Sequence, residues 1–164
     1  YDPNVASLMQ LGKWFDYMRE NGVYDNTRII LVADHGRGLY LNWDRVIDNG
    51  PDTDFFFPLL MVKDFNAKGF SFSDTFMTTA DVPTLATSGL IDNPTNPFTG
   101  NAINANAKYD RPFYAFMSYD WDTSKNNGNQ FFPGTWYRVD NQNARDKRNW
   151  VMVGENTVLP DALR

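Results

Sequence analysis

"TRIILVADHGRG", residues 27–38, decides how this chain is read. Ile29, Ile30, Leu31 and Val32 form a continuous, largely β-branched apolar run bounded by polar residues, which predicts a strand buried on both faces, as in parallel sheets. Directly beyond it stand Asp34 and His35, the only histidine of the chain. Neighbours in a regular strand point to opposite faces, so this pair meets one ligand only if the strand ends near Ala33. Gly36 and Gly38 offer backbone freedom for such a break. Two readings stand at this point. A carboxylate oxygen with an imidazole nitrogen is a donor set for zinc, manganese or iron; alternatively Asp34 caps a turn and His35 is a satisfied, partly buried histidine. Arg37 either clamps an anionic oxygen such as sulfate or phosphate or is an ordinary exposed turn residue.

Working outward, Val5, Leu8, Met9, Leu11, Phe15 and Met18 recur at helical spacing and Gly22 follows as a stop, predicting a helix over about residues 4–20. Helix followed by buried strand is an α/β pattern. Residues 36–54, rich in Gly, Asp and Asn, read as an excursion from the core, with Asp44, Asp48, Asp52 and Asp54 as solvated loop charges. Their spacing lacks the alternating pattern of a calcium loop. A second buried strand is expected at about 57–63, with Pro58 at its start. "SFSDTFMTT" predicts a weaker extended segment. In "ADVPTLATSGL" Asp81 is expected to cap a short helix, with Pro83 in its first turn and Gly89 at its end.

Residues 91–110 are dense in Asn, Pro and Gly and predict a long surface connection. Beyond it "RPFYAFMSYDWD", "GTWYRVDN" and "NWVMVGEN" alternate aromatic and β-branched runs with turn residues, predicting a small antiparallel sheet. The aromatics between 114 and 137, Trp121 and Trp136 among them, are read either as a sugar-stacking surface or as the cover of a small core.

Composition narrows the classes. Of 164 residues, 42% are hydrophobic and 16% aromatic, enough for a folded core rather than a disordered tail. Fifteen Lys and Arg against twenty Asp and Glu give −5, no footprint for nucleic acid. Without cysteine there is no thiolate ligand, disulfide or cysteine nucleophile in this chain. No apolar stretch reaches the roughly 20 residues of a membrane span, so a soluble piece is expected. The start "YDPNVASLM" lacks an initiator methionine and enters a helical pattern at once, which reads as a piece of something longer. Gly-x-Ser-x-Gly, a Walker loop and a dinucleotide fingerprint are all missing.

The order of "LGKWFDYMRENGVYDNT", "RIILVADHG", "FFFPLLMVK", "DVPTLATSGL" and "NPFTGNAI" resembles the C-terminal part of the sulfatase branch of the alkaline phosphatase superfamily. That branch includes sulfatases, lipoteichoic acid synthase-like proteins and phosphoethanolamine transferases. The resemblance covers roughly residues 5–104; the aromatic third is similar, less specifically, to the small antiparallel sheet that closes sulfatases. It implies an α/β fold with a partial alkaline-phosphatase-like sheet and flanking helices over 1–104, and a small antiparallel β subdomain over 105–164. It further implies that Asp34 and His35 ligate a catalytic divalent cation (Mn, Mg, Zn or Ca) in an incomplete site. The nucleophile, formylglycine in sulfatases or threonine in the phosphotransferases, would belong to a missing N-terminal half. Arg37 stands where relatives often carry an acidic residue, and its implied role is binding of an anionic sulfate or phosphate ester.

The expected function is therefore a C-terminal fragment of a metal-dependent sulfatase-like hydrolase or envelope phosphotransferase, inactive alone, from an extracellular or membrane-anchored parent. A strand deprived of partners also predicts self-association. The alternative is a non-catalytic module that binds glycan or protein through its aromatic surface, using Trp121 or Trp136.

Overall fold

In the computed structural model, residues 2–41, 43–118 and 132–163 are described. Helices combine with two small antiparallel sheets in a mixed α/β fold. The chain groups into two units, one containing residues up to Ala33 with Leu59–Leu90, the other Asp34–Pro58 with Ile91 onward. The excursion after the first strand thus belongs with the C-terminal residues. Among the described residues no helix is long and apolar enough to cross a membrane.

In the first unit, helix α1 spans Asp2–Glu20. Gly22 ends it with φ +68°, and the Gly22 N–H donates to the Arg19 carbonyl while the Val23 N–H reaches back to Met18. This is the Schellman closure, which favours glycine at the left-handed position. Of the helix's apolar residues only Met18 is fully buried; Leu8, Met9 and Tyr17 are exposed. Strand β1 (Ile29–Val32) pairs with β2 (Leu60–Lys63) antiparallel, Ile29 opposite Lys63 and Val32 opposite Leu60. The parallel, doubly covered strand expected from the sequence is thus corrected: Ile29 is buried, Ile30 and Leu31 are half-buried, and Val32 is exposed. β2 is also shorter than expected, beginning two residues after Pro58.

Arg28, just before β1, ties this unit together. Its guanidinium donates to the Asp64 carboxylate at 2.9 Å and to the carbonyls of Leu85, Ala86 and Ser88, where the short helix α2 (Val82–Thr87) ends. Those carbonyls have no intrahelical partner, so a cation there satisfies them and complements the helix dipole. The N–H of Phe65, and then Arg28, hold the Asp64 carboxyl below its usual range. Asp81 does not cap α2 directly as expected; its carboxylate reaches back to the N–H and hydroxyl of Thr78, closing the 3₁₀ turn Thr79–Asp81 that leads into the helix. Residues 71–78 form no strand.

In the second unit, β3 (Phe113–Met117), β4 (Gly134–Val139) and β5 (Trp150–Thr157) form the antiparallel sheet expected from the aromatic runs, in the order β3-β4-β5. Phe113 pairs with Val139 and Ala115 with Tyr137, so strand alternation places these four on one face. Ala115, Tyr137, Val139 and Trp150 are the buried core, and Ile47, Phe56, Phe113 and Ala144 pack against it. Trp150 contacts the rings of Phe56, Phe113 and Tyr137 at centroid distances of 4.9, 6.5 and 5.9 Å, and its indole N–H donates to Ala144. Ile47 comes from residues 36–54, expected as an excursion from the core, and Phe56 from just beyond them.

The turn between β4 and β5 is closed by Asp146, which accepts the Arg148 N–H and pairs side-on with its guanidinium. The Arg148 side chain first, then its N–H, lower the Asp146 carboxyl to about 2. Because the folded value lies below the unfolded one, near 3.9, this contribution is present above that value and lost as pH falls through the folded one. Carbon-13 carboxyl NMR should show Asp146 titrating near 2, with the turn opening between about pH 4 and 2; a midpoint near the free value would refute the pairing.

Candidate functional site

The last rung of the β1 pairing is the Ala33 N–H on the Leu59 carbonyl, 2.9 Å. The next two residues turn outward, with side chains 89% exposed at Asp34 and 71% at His35. Asp34 Oδ1 accepts the His35 N–H at 2.9 Å, and His35 Nδ1 lies 2.6 Å from the Gly36 carbonyl. A carbonyl oxygen only accepts, so this contact has Nδ1 carrying a proton, and in the neutral ring the Nε2 lone pair is then free. Nε2 lies 3.8 Å from Asp34 Oδ2.

Histidines that bind metals commonly have their second ring nitrogen held by a carbonyl, and His35 has such a contact with Gly36. Donors on a tetrahedral cation with bonds of 2.0–2.2 Å sit about 3.4 Å apart, so the observed gap closes with a small side-chain rotation. The break after Ala33 that the spacing required is present. Among the described residues no group of three or more His, Asp or Glu gathers, so the pair supplies at most two donors. Arg37, two residues on, is exposed and has no hydrogen-bond or ion-pair partner among the described residues.

The glycines act differently from the expectation. Neither Gly36 nor Gly38 has positive φ. A Cβ on Gly36 would overlap the Asp54 carbonyl oxygen and lie 2.7 Å from that of Phe57; one on Gly38 would lie 2.5 Å from the Phe55 ring and 3.0 Å from Asp52 Cβ. They are small because the loop lies directly on the 3₁₀ turn Thr53–Phe56. The Gly36 N–H donates to the Phe55 carbonyl at 2.9 Å, and the Tyr40 N–H to Asp52 Oδ2 at 2.9 Å.

Asp52 departs from its expected place in the loop. Its position predicts a solvated loop charge, but it is 1% exposed. Its Oδ1 caps the 3₁₀ turn by accepting the Asp54 N–H at 3.0 Å. Asp54 pairs with Arg45 at 2.6 Å, whereas Asp48 is exposed as expected and meets Lys147 at 3.2 Å. The usable signal was "PDTD": an aspartate two residues before a backbone N–H, ahead of an aromatic run, is a capping pattern.

On the sheet's second face Trp136 packs on Phe116, its cross-strand partner, with centroids 4.8 Å apart, and donates its indole N–H to the Thr157 carbonyl. Trp121 lies outside the described residues. Comparison with known protein families, curated proteins and solved structures found no match to this chain.

Replacing Gly36 with Ala should destabilise the second unit by about 1–3 kcal/mol through overpacking against fixed backbone oxygens. Urea unfolding followed at the buried Trp150 measures this, and an unchanged midpoint would mean that the loop does not lie on the turn.

Proposed function

We propose that this chain is the C-terminal part of a metal-dependent enzyme of the sulfatase branch of the alkaline phosphatase superfamily, either a sulfuric ester hydrolase or an envelope phosphotransferase. The observation that carries the reading is the exposed Asp34–His35 pair after β1, with Nδ1 tied to a carbonyl and Nε2 free 3.8 Å from the carboxylate. It joins the motif order that resembles that branch.

In this reading Asp34 contributes an anionic ligand and His35 a neutral one, held in one tautomer by Gly36. A divalent cation (Mn, Mg, Zn or Ca) bound there supplies Lewis-acid polarisation of a sulfuryl or phosphoryl oxygen. Arg37, exposed and unpaired among the described residues, binds an anionic oxygen of the ester. The nucleophile and the remaining ligands come from the N-terminal half of the parent, for which an extracellular or membrane-anchored location follows from the family resemblance. A Cys-x-Pro-x-Arg stretch upstream would assign sulfatase chemistry and an upstream threonine nucleophile phosphotransfer. The glycan-binding alternative is weaker, because the Trp136 indole is already committed to Phe116 and Thr157.

Manganese added to the nitrogen-15-labelled chain should broaden the His35 ring and the amides of residues 34–37 selectively, and Asp34→Ala or His35→Ala should abolish the effect. Uniform or absent broadening would sink the metal reading. The 164 residues alone should turn over neither aryl sulfates nor phosphodiesters; turnover lost on Asp34→Ala would overturn the fragment reading.

The same reading leaves apolar surface without its partner half. Val32, Met61 and Val62 on β1 and β2, and Leu8 and Met9 on α1, are exposed, and a two-stranded sheet is marginal by itself. Sedimentation velocity should therefore show reversible self-association rising with concentration. A monomer throughout the micromolar range contradicts this expectation.

A further inference from the structure

We propose that Asp52 is a positioning residue for the Asp34–His35 pair, acting through the loop backbone rather than by touching a ligand. The functional meaning of this role rests on the metal-site reading above; the structural linkage can be tested separately. Asp52 is 1% exposed, and an ionised carboxylate is costly to bury unless its oxygens are satisfied. Here each oxygen accepts one backbone N–H: Oδ1 that of Asp54, in its own turn, and Oδ2 that of Tyr40, twelve positions earlier. An asparagine amide has one acceptor oxygen and two donor hydrogens, so it cannot accept at both positions. The side chain thus joins the far end of the "DHGRG" loop to the start of the turn on which the loop lies.

The linkage runs onward to the histidine in four contacts. Capping by Asp52 fixes the Thr53–Phe56 turn and with it the Phe55 carbonyl. That carbonyl accepts the Gly36 N–H, and Gly36 is pressed against the Asp54 and Phe57 carbonyls with no room for a Cβ. The Gly36 carbonyl in turn accepts Nδ1–H of His35, which leaves Nε2 facing Asp34. At the other end Tyr40 sits at φ 52°, a left-handed conformation unfavourable for a tyrosine, and its N–H bond to Asp52 offsets that cost. Asp34 and His35 are themselves exposed and make no other side-chain bond to the protein among the described residues, so their mutual geometry depends on this backbone linkage.

The test uses the only histidine of the chain as reporter. Two-bond proton–nitrogen spectra at alkaline pH distinguish Nδ1–H from Nε2–H imidazole, and manganese titration of the same samples reads affinity. The Trp150 indole N–H, bonded to Ala144, reports that the second unit is folded. The wild-type chain is expected to show the Nδ1–H form. Asp52→Ala should convert it to averaged tautomers and weaken manganese binding roughly 10-fold or more, with the Trp150 signal retained. Asp52→Asn, keeping one acceptor, should give an intermediate loss, and it decides the matter if the alanine variant does not fold. A wild-type Nε2–H form, or variants that leave tautomer and affinity unchanged, overturn the proposal. If the tautomer responds to Asp52 while manganese broadens nothing in the wild-type chain, the positioning role stands and the metal reading falls.

Discussion

The contact on which the candidate site depends is the approach of Gly36 to the backbone oxygens of Asp54 and Phe57, closer than any residue with a Cβ could come. It lays the loop after β1 on the 3₁₀ turn of residues 53–56, and the hydrogen bonds of Gly36 and Tyr40 then set its path. Phe56, in the same turn, packs into the cluster of Trp150, Tyr137 and Val139. The packing of a small aromatic core thereby reaches two exposed polar side chains that bury almost nothing themselves. A site on a loop becomes ordered when the loop is fixed to something packed.

That dependence also explains the position of the charges. Asp34, His35 and Arg37 are exposed, whereas the Asp52 carboxylate is enclosed. The first three leave their side chains open to solvent, whereas the fourth holds backbone N–H groups. In the first unit Arg28 has the corresponding structural duty, satisfying the end of α2 and Asp64 together. Both are charged residues spent on backbone groups that would otherwise lack partners.

Much of the fold is legible in the sequence where one signal dominates. The helical spacing from Val5 to Met18 with Gly22 beyond it fixes α1, and the aromatic runs fix β3, β4 and β5. The apolar run at Ile29–Val32 gives the strand but not its pairing, because continuous apolar residues fit either orientation and only the chain partner decides. Gly36 and Gly38 are legible as necessary but not as to purpose, since the same residue serves positive φ and close approach. In the candidate site Asp34, His35 and the break after Ala33 are legible. Asp52 is not, because composition marks its surroundings as loop, whereas Ile47 and Phe56 on either side of it pack on Tyr137 and Trp150, more than eighty positions away in the chain.

Native-state hydrogen exchange at Gly36, Tyr40 and Asp54 tests the loop-on-turn arrangement most directly. These three amides donate respectively to the Phe55 carbonyl and to the two oxygens of Asp52. The account predicts that they exchange slowly and with one common opening free energy, while the Arg37 amide between them exchanges fast. Fast exchange at Gly36 and Tyr40 alongside a protected Asp54 would show a turn that is capped but a loop that is free, and the ordering of Asp34 and His35 would then have no cause.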